Sequence, residues 1–287
     1  MKSIVIPEWL VETCSKSEER KNWLAELPGA VTQLEQRWEL SIGQPFDREP
    51  GPSWVVPVKR QDGTCAVLKL GMPHMEARHE IDALRFWDGD AAVRLWEADT
   101  HYNAMLLERC VPGTLLRAVP EPEQDEVIAR LLRRLWRVPQ LPHPFRPLSE
   151  MTTHWGRETR AAIRRWPDAG LVNEGLRLCE ELPPTAPANV LLATDLHAAN
   201  VLRAEREPWL VIDPKPFVGD PAYDATQHLF NCSDRLYADP DGTIRRFADL
   251  LGVDHERVRL WTFARAAIES GDFDNATAQA FVRAVAP

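Results

Sequence analysis

The sequence predicts an α+β protein, with a small β-rich N-terminal lobe followed by a larger, mostly helical C-lobe. Three observations carry this expectation. The first third holds short apolar runs rich in β-branched and aromatic residues, separated by polar turns. After Pro112-Gly113 the apolar residues recur at helical spacing instead. The length, 287 residues, suffices for two lobes with their own cores. The expected division is an N-terminal lobe with a helical extension over residues 1–107, a hinge over 108–113 and a helical lobe over 114–287.

The elements follow in order. Trp54-Val55-Val56-Pro57-Val58 and Cys65-Ala66-Val67-Leu68-Lys69-Leu70 flank the turn Arg60-Gln61-Asp62-Gly63, which reads as a hairpin. Residues 75–87 read as one helix, since Ala77, Ile81, Leu84 and Trp87 recur at helical spacing. Strands are expected over 92–96 and 104–107. A helix over 121–137 places Val127, Leu131, Leu132 and Leu135 on one side, and the proline-rich stretch 138–147 ends it. A helical stretch over 158–182, interrupted near Pro167 and Gly170, is closed by Pro183-Pro184. Residues 201–203 and 209–212 read as two short strands around a turn at 204–208, and residues 221–286 as mostly helical.

Composition narrows the function classes. Hydrophobic residues make up 44% and charged residues 27%, which leaves room for packed cores. Net charge is −9 and no basic face stands out, so nucleic acid is not an expected partner. The opening residues do not read as a secretory signal, because Pro7 and Glu8 break the apolar run, and no stretch matches a membrane span. The five cysteines are scattered without a CxxC pair, as expected of reduced thiols in a cytoplasm, and a cytoplasmic monomer that engages no membrane is the expectation.

Chemistry concentrates in residues 191–224. Asp195 follows an apolar run, Asn200 comes five residues later, and Asp213 directly follows the second short strand. In a ribbon turning near Arg206, positions whose numbers sum to about 412 face each other. Asn200 then lies opposite Ile212, one step from Asp213. A carboxylate at the loop start can orient a hydroxyl or accept its proton. An amide oxygen and a second carboxylate can hold Mg²⁺. That combination suits phosphoryl transfer from ATP, where catalysis is mostly positioning and charge stabilisation.

The segment resembles the catalytic-loop motif of the aminoglycoside phosphotransferases, in the branch containing streptomycin and hydroxyurea kinases. There a run H-G-D-L-H-x-x-N-I-L precedes V-I-D-P-K-x-x-x-G-D-P-A-Y-D. This chain has Asp195-Leu196-His197, Asn200-Val201-Leu202, Val211-Ile212-Asp213-Pro214-Lys215 and Gly219-Asp220-Pro221-Ala222-Tyr223-Asp224. It departs at Ala193 and Thr194, which replace the usual His and Gly. The resemblance implies a protein-kinase-like two-lobe fold, Asp195 as catalytic base, and Asn200 and Asp213 as metal ligands. It also implies ATP and Mg²⁺ as cofactors and closure of the lobes around the substrates.

The same resemblance places ATP in the first lobe. Lys69, one of only six lysines, sits inside an apolar strand and would contact phosphate while paired to a helix glutamate. Glu80 is preferred to Glu76, because it shares a face with Leu84 and Trp87 and precedes the family-like Ala83-Leu84-Arg85-Phe86-Trp87. Ser53 and the backbone beside Gly51 are candidates to approach the phosphates. Glu108 and Cys110 fall in the expected hinge, where backbone groups would read adenine. Asp220 is expected to cap the catalytic loop or the next helix. Glu269, Asp272 and Asp274 are candidates to bind the amino or guanidino groups of a small-molecule acceptor, and Trp155 and Trp261 to line its pocket. The expected acceptor is an aminoglycoside of streptomycin type. Hydroxyurea or an ordinary metabolite such as an amino sugar is the alternative, and a non-catalytic nucleotide-binding protein the third reading.

Overall fold

The computed structural model describes residues 4–46, 51–166, 168–269 and 276–287. It divides into two units. The first comprises residues 1–113 with 203–210, and the second 114–202 with 211–287.

The first unit opens with α1 (Glu8–Cys14) and α2 (Glu18–Arg37), the latter capped by Ser17, whose hydroxyl accepts from Arg20 N. Then come β1 (Leu40–Ile42), β2 (Ser53–Arg60), β3 (Cys65–Gly71), α3 (Glu80–Trp87), β4 (Leu95–Asp99) and β5 (Ala104–Glu108). The strands form one antiparallel sheet in the order β1-β2-β3-β5-β4. Ala66, Leu68 and Leu70 of β3 pack with Leu10, Leu27, Val31 and Leu34 of the two N-terminal helices. Side chains alternate along a strand, so Lys69 points to the other face.

Residues 75–87 are not one helix. A 3-10 turn over Met75–Ala77 ends at Arg78, which is extended, and His79 takes a left-handed φ of 70° before α3 starts at Glu80. Apolar spacing registers which side chains share a face, not where two residues leave the helical backbone. The strand expected from Ala92 begins only at Leu95, beside an irregularity in the β4–β5 register.

The remaining elements are α4 (Glu121–Leu135), α5 (Leu148–Ala162), α6 (Ala169–Glu181), β6 (Val190–Leu192), β7 (Val201–Leu202), β8 (Leu210–Val211), β9 (Phe217–Gly219), α7 (Pro221–Asn231), α8 (Ser233–Ala238), α9 (Pro240–Leu251), α10 (His255–Glu269) and α11 (Ala276–Ala284), all in the second unit except Leu210 of β8. Helix α5 starts ten residues before the expected position. Its buried face is Leu148, Met151, Thr152, Gly156 and Thr159, and the polar and small members dilute the apolar signal. Asp168 then starts α6, accepting from Gly170 N and Leu171 N at 3.0 and 3.1 Å. Where α6 meets α10, Gly175 has no room for a side chain: a Cβ would lie 2.7 Å from that of Ala267.

Strands β6 and β9 pair antiparallel, with Leu192 opposite Phe217. That register brings the residues after β6 against those before β9, and the candidate site is built there. Among the described residues, no helix is long and apolar enough to cross a membrane.

Candidate active site

The loop after β6 is held from three sides. Lys215 N donates to Ala193 O at 3.0 Å, and Thr194 Oγ1 donates to Lys215 O at 2.6 Å, continuing the β6–β9 pairing past its end. From α7, Asp224 accepts Thr194 N on Oδ1 at 2.8 Å and Ala193 N on Oδ2 at 3.0 Å. Trp136 Nε1 adds a third donated bond, 2.9 Å to Oδ2. Asp224 is fully enclosed, and burial pushes its carboxyl up to about 6 against the pull of these three donors. Thr194, at the position where glycine is usual, has a φ of 37°. A side chain there costs on the order of 1 kcal/mol, and its hydroxyl bond to Lys215 offsets part of that.

This clamp presents Asp195, whose side chain is about one-third exposed. Asn200 Nδ2 donates to Asp195 O at 3.0 Å and lies 3.5 Å from Oδ2. Gln227 Nε2 donates to Asp195 Oδ1 at 2.9 Å. Asn200 is tied to the second arm of the ribbon through Ile212 N, which donates to Asn200 O at 2.9 Å, so the expected register holds. Asp213 follows immediately with a φ of 53°, and Lys215 Nζ lies 2.7 Å from its Oδ1. The amide nitrogen of Asn200 is the atom turned to Asp195. The amide oxygen of Asn200 and the Asp213 carboxylate, which Lys215 also pairs, are hard-oxygen donors of the kind Mg²⁺ takes.

In the first unit, Lys69 Nζ donates to both oxygens of Glu80, at 2.6 and 2.7 Å. Both side chains are buried, and β3 is an inner strand of the sheet, so Lys69 does not lie on an edge. A buried ammonium in such a strand requires a carboxylate partner.

Of the other candidates, the structure corrects Trp261, and the rest lie as follows. Trp261 is wholly buried, donates from Nε1 to Asp220 Oδ2 at 2.6 Å and stacks edge-on against Tyr223; it is a core residue and lines no pocket. Glu108 belongs to β5. Its N–H goes to Arg94 O, and its carboxylate grips Arg206 at 2.9 Å. Cys110 is buried. Ser53 starts β2 with its N–H donated to Gly51 O, and residues 47–50 of the preceding loop lie outside the described residues. Asp220 caps the next helix, α7, through Ala222 N, one of its two expected roles, and its second oxygen takes Arg257. Trp155 is half-buried beneath Arg265. Asp272 and Asp274, with the side chain of Glu269, lie outside the described residues.

Sequence reasoning missed Asp224 as the clamp of the loop, although its place in the Gly-Asp-Pro-Ala-Tyr-Asp run was a usable signal. It also missed a buried polar group in which Asp125 receives Arg235 at 2.7 Å on each oxygen and lies 2.8 Å from His228 Nε2. Cys232 is 3.8 Å from the same nitrogen. The bidentate guanidinium holds Asp125 down at about 2, and burial pushes the Cys232 thiol up to about 12. A carboxylate already neutralised by arginine beside a protonated thiol is a poor metal site, and this cluster ties α4, α7 and α8 together.

The fold is that of the small-molecule kinases related to protein kinases. The choline kinase LicA from Streptococcus pneumoniae superposes with a TM-score of 0.63 at 13% identity, covering 88% of this chain and 98% of that one. The chain thus has a protein-kinase-like fold. It belongs to the aminoglycoside/hydroxyurea antibiotic resistance kinase family, whose model matches residues 37–276. It is 38% identical over 277 residues to a streptomycin 6-kinase of Streptomyces glaucescens, covering 92% of this chain and 89% of that protein. It is 37% identical over 255 residues to a hydroxyurea phosphotransferase of Kitasatospora aureofaciens, covering 85% and 72%.

Proposed function

We propose that this kinase transfers the γ-phosphoryl group of ATP to a hydroxyl of a streptomycin-type aminoglycoside and so inactivates the antibiotic. The observation that carries the reading is the clamped loop, which offers a partly exposed Asp195 carboxylate with Asn200 bonded to the same residue and Asp213 next to Ile212, whose N–H donates to Asn200 O. Similarity over nearly the whole chain to a streptomycin 6-kinase supports the choice of acceptor. Asp195 orients the acceptor hydroxyl and takes its proton as the new O–P bond forms. The bond between the γ-phosphorus and the bridging oxygen breaks, and ADP leaves. Lys69, held by Glu80, neutralises phosphate charge. Asn200 and Asp213 would hold Mg²⁺, which supplies charge neutralisation on the transferring phosphoryl group.

The test is ADP release and product mass with purified protein, MgATP and, in parallel, streptomycin, hydroxyurea and amino sugars. Streptomycin turnover that Asp195→Ala abolishes while ATP still binds is the expected result. Turnover of hydroxyurea alone would favour the second reading, which the Kitasatospora relative supports. Full activity in the Asp195→Ala protein would overturn the residue assignment.

A further inference from the structure

Asp195 is bonded to a side chain that neither its loop nor the ribbon supplies. Gln227, on α7, donates from Nε2 to Asp195 Oδ1 at 2.9 Å. Behind it, Arg265 of α10 donates from Nη2 to Gln227 Oε1 at 2.9 Å and from Nη1 to Thr226 Oγ1 at 2.7 Å. Arg265 is 5% exposed. Its guanidinium lies against the rings of Tyr223, Phe230 and Trp155, at 5.1, 5.2 and 5.7 Å from their centroids.

A glutamine amide can present either end to a neighbour, and its orientation follows from what surrounds it. Here both neighbours are one-sided. Guanidinium can only donate, so it takes Oε1; a carboxylate can only accept when ionised, so it takes the Nε2 proton. The amide therefore has one self-consistent orientation, and the buried, ring-packed arginine enforces it. Polarisation along Arg265–Gln227–Asp195 strengthens the bond that reaches the carboxylate.

We infer that Gln227 is a positioning residue for the catalytic carboxylate, and that Arg265 acts through it by locking the direction of its amide. The inference rests on the reading of Asp195 as the proton acceptor. A residue one bond removed from the chemistry acts by holding the carboxylate in a productive orientation, so its loss falls on turnover rather than on nucleotide affinity.

The experiment compares wild type with Gln227→Leu, Arg265→Met and Asp195→Asn as full-length chains, assayed with MgATP and whichever of streptomycin and hydroxyurea the wild type consumes. Gln227→Leu should lower kcat by roughly 10- to 100-fold with KM for ATP within about twofold. Arg265→Met should lower kcat in the same direction with KM for ATP likewise within about twofold, a split between kcat and KM that a general loss of packing would not produce. Wild-type kcat in Gln227→Leu, with Asp195→Asn inactive, overturns this inference and leaves the reading of Asp195 standing. Activity surviving in Asp195→Asn overturns that reading instead.

A second readout needs no acceptor. In ¹⁵N–¹H spectra of the whole protein, the Gln227 side-chain amide pair should resonate away from solvent-exposed amides, and Asp195→Asn and Arg265→Met should each shift it. A signal at the exposed-amide position that neither substitution moves sinks the proposal even if no acceptor is consumed.

Discussion

Replacing Asp224 by Asn removes one charge and swaps one acceptor oxygen for a donor nitrogen. The wild-type carboxylate takes Thr194 N on one oxygen, and Ala193 N and Trp136 Nε1 on the other. The better orientation of the amide keeps its oxygen on Ala193 and Trp136 and turns its NH₂ towards Thr194 N, donor against donor. The lost charge-assisted bond is worth about 1.5–3 kcal/mol and the stranded amide about 1–3 kcal/mol, with the two retained bonds weakened as well. Against this, burial raises the carboxyl from 3.8 to about 6, so removing the charge relieves about 3 kcal/mol at neutral pH. The net expectation is a loss of up to about 3 kcal/mol, or up to roughly 12 °C in Tm for a unit of this size. Because the freed amide belongs to the residue before Asp195, turnover should fall by about 100-fold with little change in nucleotide binding. Calorimetry and initial-rate kinetics read both effects. The sign with pH also follows. The folded pKa is raised, so the stability from this group is fully present below about pH 4 and is lost as pH rises through about 6, and Asp224→Asn should flatten that stretch. Unchanged Tm together with unchanged kcat would refute the clamp.

Three further outcomes are expected. Lys69→Met should cost about 3–5 kcal/mol by stranding buried Glu80, and adding Glu80→Leu should restore most of the stability in denaturant titrations without restoring turnover. The pKa of Asp125 is depressed to about 2, so its contribution of about 2 kcal/mol should be present above pH 4 and vanish as pH falls through 2; acid unfolding of Asp125→Asn should lack that component. Arg206→Ala removes donors from Glu108, Gly89 O and Ala92 O and should lower stability by about 2 kcal/mol, and Arg206→Lys should recover little, because an ammonium cannot span the three acceptors.

Several features were legible because they are local. The spacing from Asp195 to Asn200, the ribbon that sets Asn200 against Ile212, and the following Asp213 lie within a short stretch whose register depends only on the turn. The β2–β3 hairpin and the choice of Glu80 over Glu76 are of the same kind, since period and face can be counted along the chain. By contrast, Trp261 had the composition of a pocket residue, and α5 had a buried face too rich in threonine and glycine to announce where it begins.

What the sequence determined by itself is the fold class, the family and the short-range geometry of the catalytic segment. What the tertiary structure alone decided is which distant polar groups hold that segment. Asp224 reaches Ala193 across 31 positions, Arg265 reaches Gln227 across 38, and Glu108 reaches Arg206 across 98. Backbone periodicity propagates information over a few residues, whereas a hydrogen bond between helices depends on their packing angle and rotamers, and neither leaves a periodic trace in the chain.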